Sequence, residues 1–193
     1  MSEILIAYST NTGSTLDVAQ VIADELVQKG NNVSVKNISD IDDVKAYDSV
    51  LIGAPMILGW HKKAKQFLHK HRRVLSKKKC AYFCTAVSIT KYGAEQGSGI
   101  PVFIDPFTAK APLDVQKMTF REKYALPENY ILPILKQAPD VKPISIALFG
   151  GNLDMSKLNF FEMIFVMAVI RAQPGDYRNW DAIRQWANNL DIS

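Results

Sequence analysis

Cysteine, histidine and long apolar runs are all scarce in this 193-residue chain, and each scarcity closes off a class of protein. No run reaches the roughly 18 apolar residues that a membrane-spanning helix needs. There are two cysteines, Cys80 and Cys84, four residues apart on what reads as one strand. That spacing sets their Cα atoms about 13 Å apart, beyond the ~4.4–6.8 Å of a disulfide. They are expected to be buried thiols in a reducing compartment, with a CxxxC metal pair as the alternative. The three histidines do not converge: His69 and His71 point to different sides of a helix, and His61 lies two turns away. All three are assigned to a solvated basic face, with His61, beside Trp60, also open to a substrate, and no metal ligands are expected. The opening residues, Met-Ser-Glu, lack a basic segment leading into an apolar one, so no signal peptide is expected. The expected location is the cytoplasm, with a peripheral place at the inner face of the membrane left open.

Acidic residues are missing from one region altogether. None lies between Asp48 and Glu95, while that window holds ten of the 23 lysines and arginines, from Lys62 to Lys91. The rest of the chain carries 13 basic and 19 acidic residues, so the net charge of +4 hides a basic segment on a body of −6. Such a footprint suits an anionic partner or a membrane surface. Only Phe67 interleaves Lys62–Lys79, too little for base stacking, and nucleic acid is not an expected partner.

What is present alternates strands with helices. Ile4–Tyr8 is a continuous apolar run, as in a strand buried on both faces. Ser14–Lys29 repeats apolar residues at helical spacing and stops at Gly30. Strands are expected at Asn32–Ile38, Ser49–Ile52, Ala81–Val87 and Ile144–Phe149, and helices at His61–Leu75, Glu128–Gln137 and Asp181–Leu190. In the basic helix, Ala64, Phe67, Leu68 and Leu75 should face inward. The order implies right-handed βαβ units in a doubly wound, five-stranded parallel sheet with helices on both faces. One domain is expected over 1–193. Residues 93–126, rich in Gly and Pro, read as a loop or lid inserted after the fourth strand. An extra helix is expected within 153–175 after the fifth: LNFFEMIFVMAVI (158–170) is apolar nearly all round, as in a core helix, with a dimer interface or a membrane contact as alternatives.

Between the first strand and first helix stands STNTGST: Ser9, Thr10, Asn11, Thr12, Gly13, Ser14 and Thr15. It offers five hydroxyls and an amide but no charge. A loop at the carboxyl end of a parallel strand that also opens a helix presents unpaired amides and the positive end of the helix dipole, and Gly13 permits close approach or a positive φ. Neutral donors in such number suit a phosphate dianion; the alternative is a well-capped helix and nothing more. GxxxxGK[ST] is excluded because no Gly-Lys pair exists, and GxGxxG does not follow the first strand. The third strand does not end in Asp, and neither cysteine has an arginine six residues on.

Ile6, Tyr8, Thr10, Gly13, Thr15 and Ala19 stand in the register of the FMN phosphate loop of the flavodoxin family, which this segment resembles; Ala7, where a larger apolar residue is usual, departs from it. The resemblance is carried by residues 1–90. It implies a flavodoxin-like fold and FMN as cofactor, held also by two loops. In GAPMILGW (53–60), Ala54, Pro55, Met56, Ile57 and Leu58 would cover one ring face, Gly59 would let a carbonyl reorient, and Trp60 would either stack or belong to the core. In TAVSITKYG (85–93), Thr85, Ala86, Val87 and Ser88 would give backbone contacts, joined by Tyr92; Gly151 follows the fifth strand at the same sheet edge. No catalytic side chain is expected, since the redox chemistry belongs to the cofactor. Ile52-Gly53-Ala54, Gly59 and His61, the late apolar helix, and Trp180 with Ala187 are similar to the branch of menaquinone-dependent protoporphyrinogen IX dehydrogenases rather than to short acidic flavodoxins. That branch implies an FMN oxidoreductase, quinone-coupled or acting on an amphipathic anionic substrate; a flavodoxin shuttling electrons between proteins is the alternative. Expected partners are a redox protein or quinone, an anionic surface for Lys62–Lys79, and a second copy as a homodimer.

Overall fold

The computed structural model describes residues 1–57, 59–92, 99–158 and 160–192, with the side chains of all but Glu162 and Val169. Its frame is a parallel sheet of β1 (Glu3–Tyr8), β2 (Asn32–Asn37), β3 (Ser49–Pro55), β4 (Lys79–Ala86), β5 (Val102–Ile104) and β6 (Ser145–Gly150). The strands lie in the order β2-β1-β3-β4-β6-β5. Because successive side chains of a strand alternate between faces, Ile4 and Ile6 enter one core and Leu5 and Ala7 the other. Helices α1 (Ser14–Gln28) and α6 (Trp180–Asn189) cover the first face through Val18, Ile22, Leu26, Ile183 and Trp186. The opposite face is covered by α2 (Lys62–Leu75) and, after the five-residue α3 (Phe120–Tyr124), by α4 (Pro127–Leu135), using Ala64, Phe67, Leu68, Ile131 and Ile134.

The sheet has six strands, not five. The additional strand, Val102–Ile104, falls inside the segment read as a loop and pairs in parallel with β6 at the outer edge. Four residues between Pro101 and Pro106, three of them in the strand, are too few to signal a strand in sequence, and proline is tolerated at such an edge. The same insertion contains Ala109–Lys110, which pairs with Ile89–Thr90, and α3, whose Thr119 and Glu122 form a reciprocal capping box.

Two other expectations change. His71 is not on the solvated face of α2: it is 7% exposed and its ring lies 4.6 Å from that of Phe67. It follows Phe67 by four residues and Leu68 by three, so helix geometry carries it inward whatever its polarity. The late apolar segment is α5 (Phe160–Ile164) continued by a π-helical turn over Phe165–Ile170. It is only half core, since Val166 and Ile170 are buried while Phe160, Phe161, Ile164 and Met167 are exposed. Cys80 and Cys84 are free and buried as expected, and burial pushes the Cys80 thiol up to about 12.

Candidate functional site

A cleft of about 610 Å³, measured out to its mouth, opens at the carboxyl ends of β1, β3, β4 and β6. One end is polar and is built by the loop after β1. Gly13 starts α1 in the left-handed region at φ +96°, and its N–H donates to Thr10 Oγ1 at 2.9 Å. Only glycine takes that backbone without strain. The turn gathers Thr10, Asn11, Thr12, Ser14 and Thr15 around the helix start, where the first amides lack partners within the helix. The surrounding strands hold these hydroxyls in place. Thr15 and Thr85 share a hydrogen bond of 3.0 Å, and the Asn152 amide donates to Ser14 Oγ at 2.8 Å. Ser14 accepts there and so keeps its own proton to donate. Ser9, whose amide donates to the Gly53 carbonyl, buries a hydroxyl that has no partner among the described residues. Neutral donors of this density fit a phosphate-sized anion, although Ser9 itself is not part of the cleft wall.

The other end is apolar. Met56 and Ile57 line it from the loop after β3, Ala86 from the last position of β4 and Val87 from the loop that follows. The Met56 amide donates to the Thr85 carbonyl at 2.9 Å, which ties the two loops together. Pro55, Thr85 and Gly151 complete the lining at the strand ends, and Ser88 from the loop after β4. The remainder comes from residues that the sequence did not single out: Tyr124 of α3, Tyr130 of α4, and Leu153, Leu158, Val166 and Ile170 after β6. Thr119-x-x-Glu122 was the one local sign that a helix would present Tyr124, since such a pair caps a helix start. No charged side chain lines the cleft among the described residues.

The other expected contacts stand elsewhere. Ala54 is wholly buried in β3, and Tyr92 is 48% exposed outside the cleft. Of the two places open to Trp60, the structure gives it the core: it is 2% exposed, with its ring 6.0 Å from that of Tyr82. Gly59, at φ +88°, and Trp60 border a separate polar recess with Asn11, Lys62 and Lys65 on the outer side of the same loop. Leu58 lies outside the described residues.

Beyond Ser88, which belongs to both, the cleft adjoins a wider, half-open chamber of about 1390 Å³ counted out into solvent. Its walls mix Ile89, Leu113, Phe120 and Ala168 with the cations Lys110, Arg121 and Arg171. Glu122 also borders it, but its carboxylate is engaged by the amides of Thr119 and Leu113, which hold it below the usual carboxylate range. The arrangement can therefore seat an amphipathic ligand in the cleft and an apolar, negatively charged one beside it.

Comparison with known proteins agrees with this geometry. The flavodoxin domain family matches residues 5–179. The chain is 33% identical to the protoporphyrinogen IX dehydrogenase [quinone] of Escherichia coli strain K12 over 197 aligned positions, covering 96% of this chain and 93% of that one. The same figures hold for the enzyme of Escherichia coli O157:H7. Among solved structures, the two-electron reduced flavodoxin of Megasphaera elsdenii superposes with a TM-score of 0.50 at 16% identity, covering 88% of this chain and 99% of that one.

Proposed function

The chain belongs to the flavodoxin family, whose cofactor is FMN, and from that premise we propose that it is an FMN-dependent oxidoreductase acting on an anionic amphipathic substrate or a quinone. The observation that carries this reading is the division of the cleft: neutral hydrogen-bond donors at one end, apolar side chains at the other, and a cation-lined chamber next door. FMN, when bound, supplies the redox chemistry. Thr10, Thr12, Ser14, Thr15 and the first amides of α1 would hold its phosphate, while Met56, Ile57, Ala86 and Val87 would take the ring and keep water from it. Lys110, Arg121 and Arg171 would attract the carboxylates of a substrate such as the one the Escherichia coli relatives are named for. The exposed residues Phe160, Phe161 and Met167, on the segment that also gives the chamber Ala168 and Arg171, would suit a lipid-soluble quinone or a membrane surface; no described helix is long and apolar enough to cross a membrane.

A second reading, an electron shuttle between proteins, is favoured by one observation: Lys62 and Lys65 flank the outer side of the loop at Gly59 and Trp60, where an acidic partner could dock. The test is steady-state turnover of the FMN-loaded protein with menadione and with protoporphyrinogen. The enzyme reading expects turnover, and K110A/R121A/R171A raising KM for the anionic substrate but not for menadione. Absence of turnover with either, alongside rapid electron exchange with an acidic redox protein, selects the shuttle. Protein that takes up no FMN overturns both.

A further inference from the structure

Helix α2 begins with Lys62, Lys63 and Lys65, has no acidic residue in its first turn, and carries no side-chain cap at its start. Cations there face the positive end of the helix dipole, where carboxylates are the stabilising choice. Lys70, Arg72 and Arg73 follow on the same helix, and none of the six makes an ion pair among the described residues. Lys63 Nζ donates to Ser39 Oγ at 3.0 Å, a neutral partner. A helix that keeps uncompensated cations where they weaken it keeps them for something outside the fold.

Two depressions flank this helix start. On one side is the polar recess where Lys62 and Lys65 stand, and Asn11 and Pro55 wall both that recess and the cleft. On the other is a shallow groove of about 510 Å³ counted out into solvent, with Ile38, Ile41 and Phe67 as its apolar floor and Lys63, Gln66 and Lys70 around them. The carboxylates of the loop after β2 do not neutralise it: Asp43 is turned to Lys45 at 3.3 Å, and Asp40 and Asp42 are not part of the groove wall. A lipid surface is a poor match, since a helix lying on a membrane needs exposed apolar residues beside its cations. The apolar face of α2, with Ala64, Phe67, Leu68 and Leu75, is packed into the core. Among the described residues no large apolar side chain is exposed between Val27 and Tyr92.

We propose that the first turns of α2, with the recess and the groove on either side, are the docking surface of an acidic redox protein that exchanges electrons with the cleft. The inference rests on the FMN reading above and holds whether the chain is an enzyme or a shuttle. The partner that fits presents carboxylates to Lys62, Lys63, Lys65 and Lys70 and an apolar side chain to the floor of the groove. Because the recess and the cleft share walls, a protein seated there stands next to the place of the cofactor. Two molecules of a reduced one-electron carrier, each giving up one electron, would reduce one FMN, with two protons drawn from solvent. Attraction between oppositely charged surfaces steers such an encounter and fades with salt.

The experiment compares the full chain with K62E/K63E/K65E, whose new carboxylates suit a helix start, so the variant is expected to melt no lower than wild type and to take up FMN as well. A plant-type ferredoxin serves as the acidic carrier. In FMN-free protein it is expected to bind wild type at low salt, to associate about tenfold or more slowly at high salt, and to bind the variant about tenfold or more weakly. In FMN-loaded protein, reduction by reduced ferredoxin is expected to slow by a similar factor in the variant. Ferredoxin that fails to bind wild type, or binds the variant as tightly, overturns the surface. Binding of the FMN-free chain to phosphatidylglycerol vesicles that is lost in the variant, with none to ferredoxin, assigns the lysines to a membrane and overturns it as well. A lower melting midpoint in the variant overturns the premise that the lysines are kept against stability. Weaker binding without slower reduction overturns the redox role. If wild-type protein takes up no FMN, the FMN reading and the redox role fall, while ferredoxin binding still decides the surface.

Discussion

Four donors converge on the carboxylate of Asp105, which is fully buried at the end of β5. They are the Phe107 amide and Asn179 Nδ2 on one oxygen, and Thr108 Oγ1 and the Gly150 amide on the other. This single side chain joins the insertion to β6 and to the segment that leads into α6. Replacing it by alanine strands several buried donors, each worth about 1–3 kcal/mol when unsatisfied. Asp105→Ala is expected to lower unfolding stability by about 3 kcal/mol, and a urea midpoint equal to wild type would remove Asp105 from that role. His71 makes a different prediction. Burial, aided by Lys70, lowers its pKa in the folded chain, so the native state favours the neutral ring. As pH falls below about 6.5, the unfolded chain takes up a proton there before the folded one does. The stability from burying the neutral ring is thus whole above that value and is lost below it. Urea midpoints measured at pH 7.5 and pH 5 should fall less in His71→Leu than in wild type; equal falls would mean that other groups carry the dependence. Residue type alone would not have found either site. Asp105 sits between prolines in a stretch without periodicity, and His71 was hidden among ten basic neighbours although its position in the helix already pointed inward.

Among the elements, those with long periodic patterns were legible. β1, α1, α2, β4 and α6 stand within one or two residues of where apolar spacing puts them, because burial on a repeating face writes a repeating pattern. The elements between residues 99 and 124 were not, since each is two to five residues long and exists through partners far away in sequence: β5 through β6, Ala109–Lys110 through Ile89–Thr90. The apolar stretch from Leu158 to Ile170 was legible as a helix but not as to which side is covered, because a segment apolar all round carries no moment. The structure separates its faces, and the separation can be measured. Val166→Ala and Ile170→Ala, at 1% and 4% exposure, are each expected to cost about 1–4 kcal/mol. Phe160→Ser with Phe161→Ser, at 64% and 75% exposure, should stay within about 0.5 kcal/mol each of wild type. A large loss from the phenylalanine pair would show that they are covered in solution, as in a dimer.

For the whole molecule, the segregation of charge leaves the cleft neutral while setting a basic helix beside it. FMN binding should therefore depend on fixed dipoles and hydroxyls rather than on ion pairs, and so should be weakly screened by salt. A ligand that binds only the folded state raises stability by mass action, by about 2.7 kcal/mol at a hundred times its Kd. FMN at that excess should raise the thermal midpoint to a similar degree at low and high salt, whereas riboflavin, which lacks the phosphate, should raise it much less. Equal shifts from the two would remove the loop after β1 from the site. That loop shows how far sequence reached. Its hydroxyls, its glycine and its place between a buried strand and a helix are local properties, so residues 9–15 by themselves specified a glycine turn rich in neutral donors, and the apolar runs specified a parallel α/β sheet. The aromatic and apolar wall of the cleft was decided only by tertiary structure. Tyr124 comes from the insertion, Tyr130 from the helix after it, and Val166 and Ile170 from the segment after β6, and they line one cleft with Met56 and Val87 only because these distant segments pack together at the strand ends. Trp60 was sent into the core for the same reason: its neighbour in space is Tyr82, and packing against that ring, rather than any pattern in its own loop, determined which way it turned.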